Sequence, residues 1–515
     1  MTARNSSVPS PLLRRLAQHR ADAPAMSGSG ALVSYGALDA WTARLARSLT
    51  TDRAAGLAGA PVAFLADAGP THLATLLGIL RAGGMAVPLS PLHARPELEY
   101  QLATAAPVEL LATPALRATL AAAAPGRAVR LLEATGLGSP GDGGVASGAA
   151  SALPPPPGAD APAIMLYTSG TTGRPKGVRL AHAAVAATVT SLETAWRWRA
   201  DDRLLHVLPL HHTHGLIVAA LGAMWVGAEV RFLPFEPAAA WEALADVTVF
   251  MAVPTIYAKL MEAFRGAPAD RRARWSAAAA RLRLFTSGSA ALPASRLEEF
   301  RAATGQTILE RYGMTEIGMA LSNPYDGPRV PGAVGVPLPG VEVELVGDDG
   351  APTQAGVSGE LRVRSPQMFS GYHGDDAATA ASFDASGRFR TGDTGVRDAA
   401  GVIRLLGRTS VDIIKSGGYK ISALEIEAAL GDHPAIAEIA VVGEADETWG
   451  ERVTACVVAR DGATLTLEAL MAFARERLAV YKVPRALKLL PALPRNAMGK
   501  VQKKQLLAPE APSAR

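Results

Sequence analysis

The run Tyr167-Thr168-Ser169-Gly170-Thr171-Thr172-Gly173-Arg174-Pro175-Lys176-Gly177 places four side-chain hydroxyls (Thr168, Ser169, Thr171, Thr172), three glycines and Lys176 directly behind the apolar stretch Ile164-Met165-Leu166. Glycines let a backbone come close to a ligand and turn its N–H groups inward; the hydroxyls and the ammonium add donors and charge. Together they make a cradle for phosphate. The common nucleoside triphosphatase loop needs Lys followed at once by Ser or Thr, and Gly177 stands there instead, so this cradle is of another kind. Lys500, behind Pro494-Arg495-Asn496-Ala497-Met498-Gly499, would by itself read as an ordinary solvated charge. Cys456, the single cysteine, lies in the apolar run Val453-Thr454-Ala455-Cys456-Val457-Val458 and reads as a small buried hydrophobe rather than a nucleophile.

Strands and helices must hold these groups. Apolar runs at Ile164–Tyr167, Val247–Val253 and Leu282–Phe285 are each followed by small or polar residues and then a helical pattern, the alternation of an α/β fold with helix-covered sheets. Ligands in such folds sit beyond the carboxyl ends of the strands. A Gly-, Ala-, Ser- and Pro-rich break, Gly136–Pro162, reads as a linker or surface excursion. A second break near Gly407-Arg408-Thr409 divides the chain into a large domain, 1–408, and a small mobile α+β domain, 409–515. In the latter Ser422-Ala423-Leu424-Glu425 is a capping box opening a helix through Leu430, and further elements follow at Ile436–Val442, Val453–Val458 and Leu467–Leu478. Seven of the nine lysines fall in this last fifth, either as a solvated face or as a cationic lid for a phosphorylated ligand.

With the phosphate loop stand six further motifs in order: Pro209-Leu210-His211-His212, Ser287-Gly288-Ser289-Ala290-Ala291-Leu292, Glu310-Arg311-Tyr312-Gly313-Met314-Thr315-Glu316, Arg390-Thr391-Gly392-Asp393, Gly407-Arg408, and Pro494 through Lys500. On these the chain resembles the adenylate-forming enzymes, which include acyl-CoA synthetases, peptide-synthetase adenylation domains and luciferases. The resemblance implies ATP, Mg²⁺ and CoA, with a small-molecule carboxylate activated as its acyl-adenylate and passed to a thiol. Thr168, Ser169, Gly170, Thr171, Thr172, Gly173 and Lys176 would hold the β- and γ-phosphates. Thr315 would donate to the α-phosphate, and Glu316 would help hold Mg²⁺. Glu310, Arg311, Tyr312 and Gly313 would line the nucleotide, Tyr312 against adenine, with Gly288, Ser289 and Ala290 on its other side. Asp393 would accept the ribose hydroxyls, assisted by Arg408. Lys500 would neutralise the oxygens about phosphorus during adenylation and then withdraw as the small domain turns about Thr409-Ser410-Val411, letting Gly417 and Gly418 face the pantetheine arm. The stretch from Gly407 to Gly417 is one residue longer than in many relatives, which leaves the exact pivot open.

Within that family the histidine-rich segment 206–215 and the 310–319 block are similar to malonyl-CoA synthetases, and the longer 407–421 stretch leans to the subgroup with a mitochondrial acyl-CoA synthetase-like member. The implied substrate is malonate, with methylmalonate second. The alternatives are another small or medium-chain acid, or a stand-alone adenylation enzyme loading a carrier protein. A second carboxylate entering a buried pocket must meet a cation. Arg283, on the strand entering Ser287-Gly288-Ser289, is the first candidate, although an arginine there can equally brace the strand; His212 is a further polar contact, with a catalytic place at the pocket wall.

Composition limits the rest. At 515 residues, with 51 Lys+Arg against 47 Asp+Glu, the net charge of +4 is too thin for a protein whose main partner is nucleic acid or an anionic surface. One cysteine excludes an internal disulfide and a cysteine metal cage. The segment from Leu204 to Ala228 is uncharged but holds Pro209 and four histidines, which argues for a core segment, with no integral membrane association. The Ala- and Arg-rich composition points to a bacterial cytosol, and the basic start keeps a mitochondrial address as the alternative. Oligomeric state is not legible.

Overall fold

The computed structural model describes all residues except 1–7, 29, 52, 54, 133–151, 169–174, 410, 417–418, 447–448, 496–500 and 508–515. Most of the Pro- and Gly-rich excursion, the phosphate loop from Ser169 to Gly173, the Gly417-Gly418 pair and Lys500 therefore lie outside the described residues. Two compact units form, Met1–Glu342 with Val363–Phe389, and Val343–Arg362 with Arg390–Arg515. These units are drawn differently from the division at 408/409, for a reason visible in the strand pairing. The strands Glu342–Val346, Ser358–Arg364, Phe389–Arg397 and Ile403–Arg408 make one four-stranded sheet, and its hydrogen bonds bind residues before 409 into the second unit.

The first unit is α/β, as the alternation of apolar runs implies. Its nine-stranded sheet has a parallel centre in which Leu309–Met314, Leu284–Ser287, Val249–Ala252, Arg203–His206, Glu229–Phe232 and Pro24–Gly28 lie side by side. Such strands are covered on both faces and so read as unbroken apolar runs; all four residues of Val249–Ala252 are buried. Against one face packs an aromatic cluster. Trp241 stacks on Trp275 with centroids 5.6 Å apart, and Phe300 meets Phe285 edge-on at 5.0 Å. Each fully buried side chain of this kind contributes roughly 1.5–3 kcal/mol, and together they clamp the strand that delivers Ser287.

A seven-stranded sheet stands beside it in the same unit. Pro162–Thr168 pairs antiparallel with Lys176–Ala181, the last partners being Thr168 and Lys176, and Gly371–Tyr372 pairs onto the outer side of Lys176–Ala181. The segment read as too polar for a bilayer is a strand, Arg203–His206, then a fully buried π-helical stretch, His214–Leu221, and a short helix, Gly222–Val226. Among the described residues no helix is long and apolar enough to cross a membrane.

In the second unit the serine half of the expected capping box forms: Ser422 Oγ accepts from the amide of Glu425 and opens the helix Ala423–Leu430, while the Glu425 carboxylate turns to Lys482 at 2.5 Å. Thr466 caps Leu467–Arg475 in the same way. Beneath the first helix lies a buried ionic knot. The Lys503 ammonium stands 2.5 Å from Asp412 Oδ1 and 2.6 Å from Glu427 Oε1, and Glu427 also accepts from the amide of Val441 at 2.7 Å. Burial opposes the ammonium's charge, but the two carboxylates outweigh it and hold Lys503 above its usual pKa. Removing the cation leaves two carboxylates buried without compensation, so Lys503→Met is expected to cost about 3–5 kcal/mol. Denaturant unfolding of the variant, followed by tryptophan fluorescence and far-ultraviolet dichroism, checks this.

Candidate functional site

Leu284–Ser287 and Leu309–Met314 run parallel, and beyond their carboxyl ends lie the two turns read from sequence as nucleotide-binding. Gly288 has no room for a side chain: a Cβ there would lie 2.3 Å from Arg311 Nη1. Gly313 is equally constrained, since a Cβ would meet the carbonyl of Gly318 at 2.2 Å. Ser289 follows at φ +71, a conformation uncommon for a residue with a side chain. Both Ser289 and Ala290 are exposed, whereas Tyr312 is buried to 9% exposure. Glu310 is committed to architecture. Its Oε1 accepts from the amide of Gly332 at 2.8 Å and its carbonyl from the amide of Asn323 at 3.0 Å.

Arg311 is the anomaly. Only 4% exposed, it carries Nε and Nη2 with no hydrogen-bond partner among the described residues, and burial pushes its pKa down to about 10, so it stays charged at neutral pH. On the adjoining strand the hydroxyls of Thr286, on the Arg311 face, and of Ser287, on the opposite face, are also buried with no partner among the described residues. Unmet donors around a buried cation are costly unless an anion meets them.

The histidine segment joins this end of the sheet. Thr213 Oγ1 donates to Thr315 Oγ1 at 2.9 Å. The His211 and His212 rings lie 4.1 Å apart, and His93 meets His211 at 5.6 Å. Desolvation, then the neighbouring imidazoles, lower His211 to about 2; desolvation, then His93, lowers His212 to about 4. The Nε2 of His212 is buried without a partner among the described residues. His214, fully desolvated and next to Arg311, is held well below the ordinary imidazole range. These rings are neutral at pH 7.

On the other sheet, Thr168 and Lys176 face each other across the base of the loop. Lys176 lies over the ring of Tyr372 at 4.8 Å and 3.7 Å from Asp375 Oδ2. The Tyr372 hydroxyl donates to Glu316 Oε1 at 3.1 Å, so the loop lysine and the carboxylate read as a metal ligand meet at one ring. Thr213, Tyr372 and Asp375 carry no signal by which sequence reasoning singles them out. The Gly-Tyr dipeptide at 371–372 is unremarkable until its strand pairs beside Lys176.

In the second unit Asp393 and Arg408 are cross-strand partners, with Arg408 Nε 2.9 Å from Asp393 Oδ1. Arg408 Nη1 also donates to the carbonyl of Thr391 at 2.8 Å. The segment carrying Lys500 is bounded by a bridge between Arg495 and Val501 and by the Gln502 amide donating to the Pro494 carbonyl at 2.8 Å.

Arg283 does not join the site. It precedes the amino end of Leu284–Ser287, opposite to the Gly288 turn, and its fork closes on Asp202: Nε donates to Oδ1 at 2.7 Å and Nη2 to Oδ2, while Nη1 donates to the carbonyl of Trp196 at 2.9 Å. Trp198 and Tyr325 cover the guanidinium. An arginine already filled by a buried carboxylate cannot receive a second one, and of the two readings open for Arg283 the brace is the one the contacts support.

Among known proteins, the AMP-binding enzyme family matches residues 13–373 and the AMP-binding enzyme C-terminal domain matches residues 425–500. A mitochondrial malonate–CoA ligase of Mus musculus is 48% identical over 383 residues, spanning 69% of this chain and 65% of that protein's length. The crystal structure of an ATP-bound MatB from Rhodopseudomonas palustris superposes with a TM-score of 0.86 at 35% identity, covering 97% of this chain and 98% of that one. A malonyl-CoA ligase in a ternary product complex with methylmalonyl-CoA and AMP gives a TM-score of 0.68 at 38% identity over 94% of this chain and 100% of that one.

Because Asp202 is buried and Arg283 neutralises it, Arg283→Met is expected to destabilise the protein by about 3–5 kcal/mol. The KM values for ATP and for the acid are expected to stay within about twofold of native, the small effect of a change away from the ligands. Thermal unfolding and steady-state kinetics on the same preparation separate the two effects.

Proposed function

We propose, from the premise that this chain belongs to the AMP-binding enzyme family, that it ligates malonate to coenzyme A by way of an acyl-adenylate, with methylmalonate as a second substrate. The observation that carries this reading is Arg311, a buried guanidinium with open donors beside the bare backbone of Gly288. A planar fork suits a carboxylate, and a dicarboxylic acid brings one to spare. The names of the relatives support it: malonate–CoA ligase, and a ligase holding methylmalonyl-CoA with AMP.

In the first step a malonate oxygen attacks the α-phosphorus of ATP, the bond to the β-phosphate bridging oxygen breaks, and pyrophosphate leaves. Thr168 through Gly173 and Lys176 hold the β- and γ-phosphates. Because Thr213 gives its proton to Thr315 Oγ1, the proton of Thr315 is left to point at an α-phosphate oxygen. Tyr312 packs on adenine opposite the turn from Gly288 to Ala290. Asp393, steadied by Arg408, accepts from the ribose hydroxyls. The open donors of Arg311 take the distal carboxylate, and the neutral His212 lines the wall. Lys500 covers the crowded oxygens while charge builds on them.

Magnesium, when bound, neutralises phosphate oxygens. Glu316 fits as its one protein carboxylate, since Mg²⁺ takes one or two carboxylates and draws its other oxygens from phosphates and water. In the second step the CoA sulfur attacks the carbonyl carbon, the bond to AMP breaks, and the thioester forms. Lys500 has withdrawn about the hinge at Thr409-Ser410-Val411, and the missing side chains of Gly417 and Gly418 admit the pantetheine arm.

Pyrophosphate release and thioester formation, measured with malonate, methylmalonate, acetate, octanoate and benzoate, are expected to put malonate first; a preferred monocarboxylate would sink the reading, and transfer to a carrier protein in place of CoA would redirect it. Arg311→Met is expected to lower kcat/KM for malonate by about a hundredfold or more, the cost of an unpaired buried charge, while residual turnover of acetate is spared. Lys500→Ala is expected to slow adenylate formation by about a hundred- to a thousandfold and to leave thioesterification of supplied malonyl-adenylate nearly unchanged. Equal loss of both steps would contradict the two-stage lysine.

A further inference from the structure

The geometry points to Tyr372 as a positioning residue that keeps the phosphate-loop lysine apart from the carboxylate assigned to the metal, an inference that rests on the reading of Lys176 and Glu316 just given. The ring is pinned from three directions. Its strand pairs with the loop's outgoing strand at Val178, its amide donates to Thr379 Oγ1 at 2.9 Å, and Phe369 meets it edge-on at 5.0 Å. Phe369 in turn donates its own amide to the Glu316 carbonyl at 2.8 Å, fixing the Glu316 backbone to the same element.

Held so, the ring offers one face to Lys176 and its hydroxyl to Glu316. Opposite charges this close would otherwise pair directly, and neither could then serve the reaction, because the ammonium could not reach phosphate, nor the carboxylate a cation. A ring face attracts an ammonium weakly, and the partly exposed Asp375 carboxylate at 3.7 Å adds only a screened attraction. Lys176 is thereby parked without being trapped, and incoming phosphate displaces both contacts. At the other end, the hydroxyl orients Glu316 Oε1 by donating to it.

The roles of ring and hydroxyl separate by mutation. Binding of a nonhydrolysable ATP analogue is measured by calorimetry with and without Mg²⁺, on folded protein verified by melting. Tyr372→Leu, which lets Lys176 reach Glu316, is expected to weaken binding about tenfold, the scale of a lost cation–ring contact plus a new competing pair. Tyr372→Phe keeps the ring and is expected to weaken it about threefold, the scale of one hydrogen bond, and only when Mg²⁺ is present. In a Lys176→Ala background the metal-free penalty of Tyr372→Leu is expected to vanish. Persistence of that penalty would mean Tyr372 acts only on packing and would overturn the inference. Native binding by both Tyr372 variants, alongside weakening by Lys176→Ala and Glu316→Gln, would overturn it while leaving the parent reading intact. Indifference of Lys176→Ala and Glu316→Gln themselves would remove both.

Discussion

Arg311 is a full positive charge taken out of water and set where no described residue offers a partner to two of its nitrogens. Everything around it is arranged to make that possible. The strand carrying it is clamped between neighbours, Gly288 gives up a side chain to leave the guanidinium room, and the aromatic cluster about Trp241, Trp275 and Phe300 keeps the adjoining strand from shifting. A buried cation that the fold does not satisfy must be satisfied by what the fold binds, or it is a defect. The close approach of Gly313 to Gly318 and the Thr213–Thr315 contact belong to the same end of the sheet as Arg311, so the turn after that strand and the cation on it are held in one neighbourhood.

What was legible in the sequence was whatever depends on neighbours along the chain. Ile164–Tyr167 and Val247–Val253 show themselves as strands because both faces are buried, and Ser422 announces its helix because a cap is a three-residue affair. What depends on distant partners was hidden. Arg283 looked like a ligand for an acid because it precedes the Gly288 turn by five residues, but Asp202, 81 positions earlier, fills its fork. Arg311 passed as one more nucleotide-lining residue because nothing in a linear string reveals that a guanidinium lacks partners. Tyr372, brought to Lys176 by a two-residue strand from almost two hundred positions on, left no local trace.

The border between the two units teaches a related point. A glycine–arginine pair followed by a shift in element length looks like an edge, and in the proposed reaction cycle it is where motion is centred. Hydrogen bonding draws the line elsewhere, because Asp393 and Arg408 are cross-strand partners in a sheet that begins with Glu342–Val346. A pivot and a packing boundary answer to different forces and need not coincide.

The neutral imidazoles at His211, His212 and His214 have an electrical corollary. Among the described residues Arg311 is the one cation whose charge acts on these rings, so a guest with two ionised ends meets one fixed plus sign beside them. One end is quenched and becomes an anchor; the other keeps its electron density undiminished. Had even one of those rings been an imidazolium, it would have tamed that second end as well, and a carboxylate so comforted makes a poor nucleophile toward phosphorus.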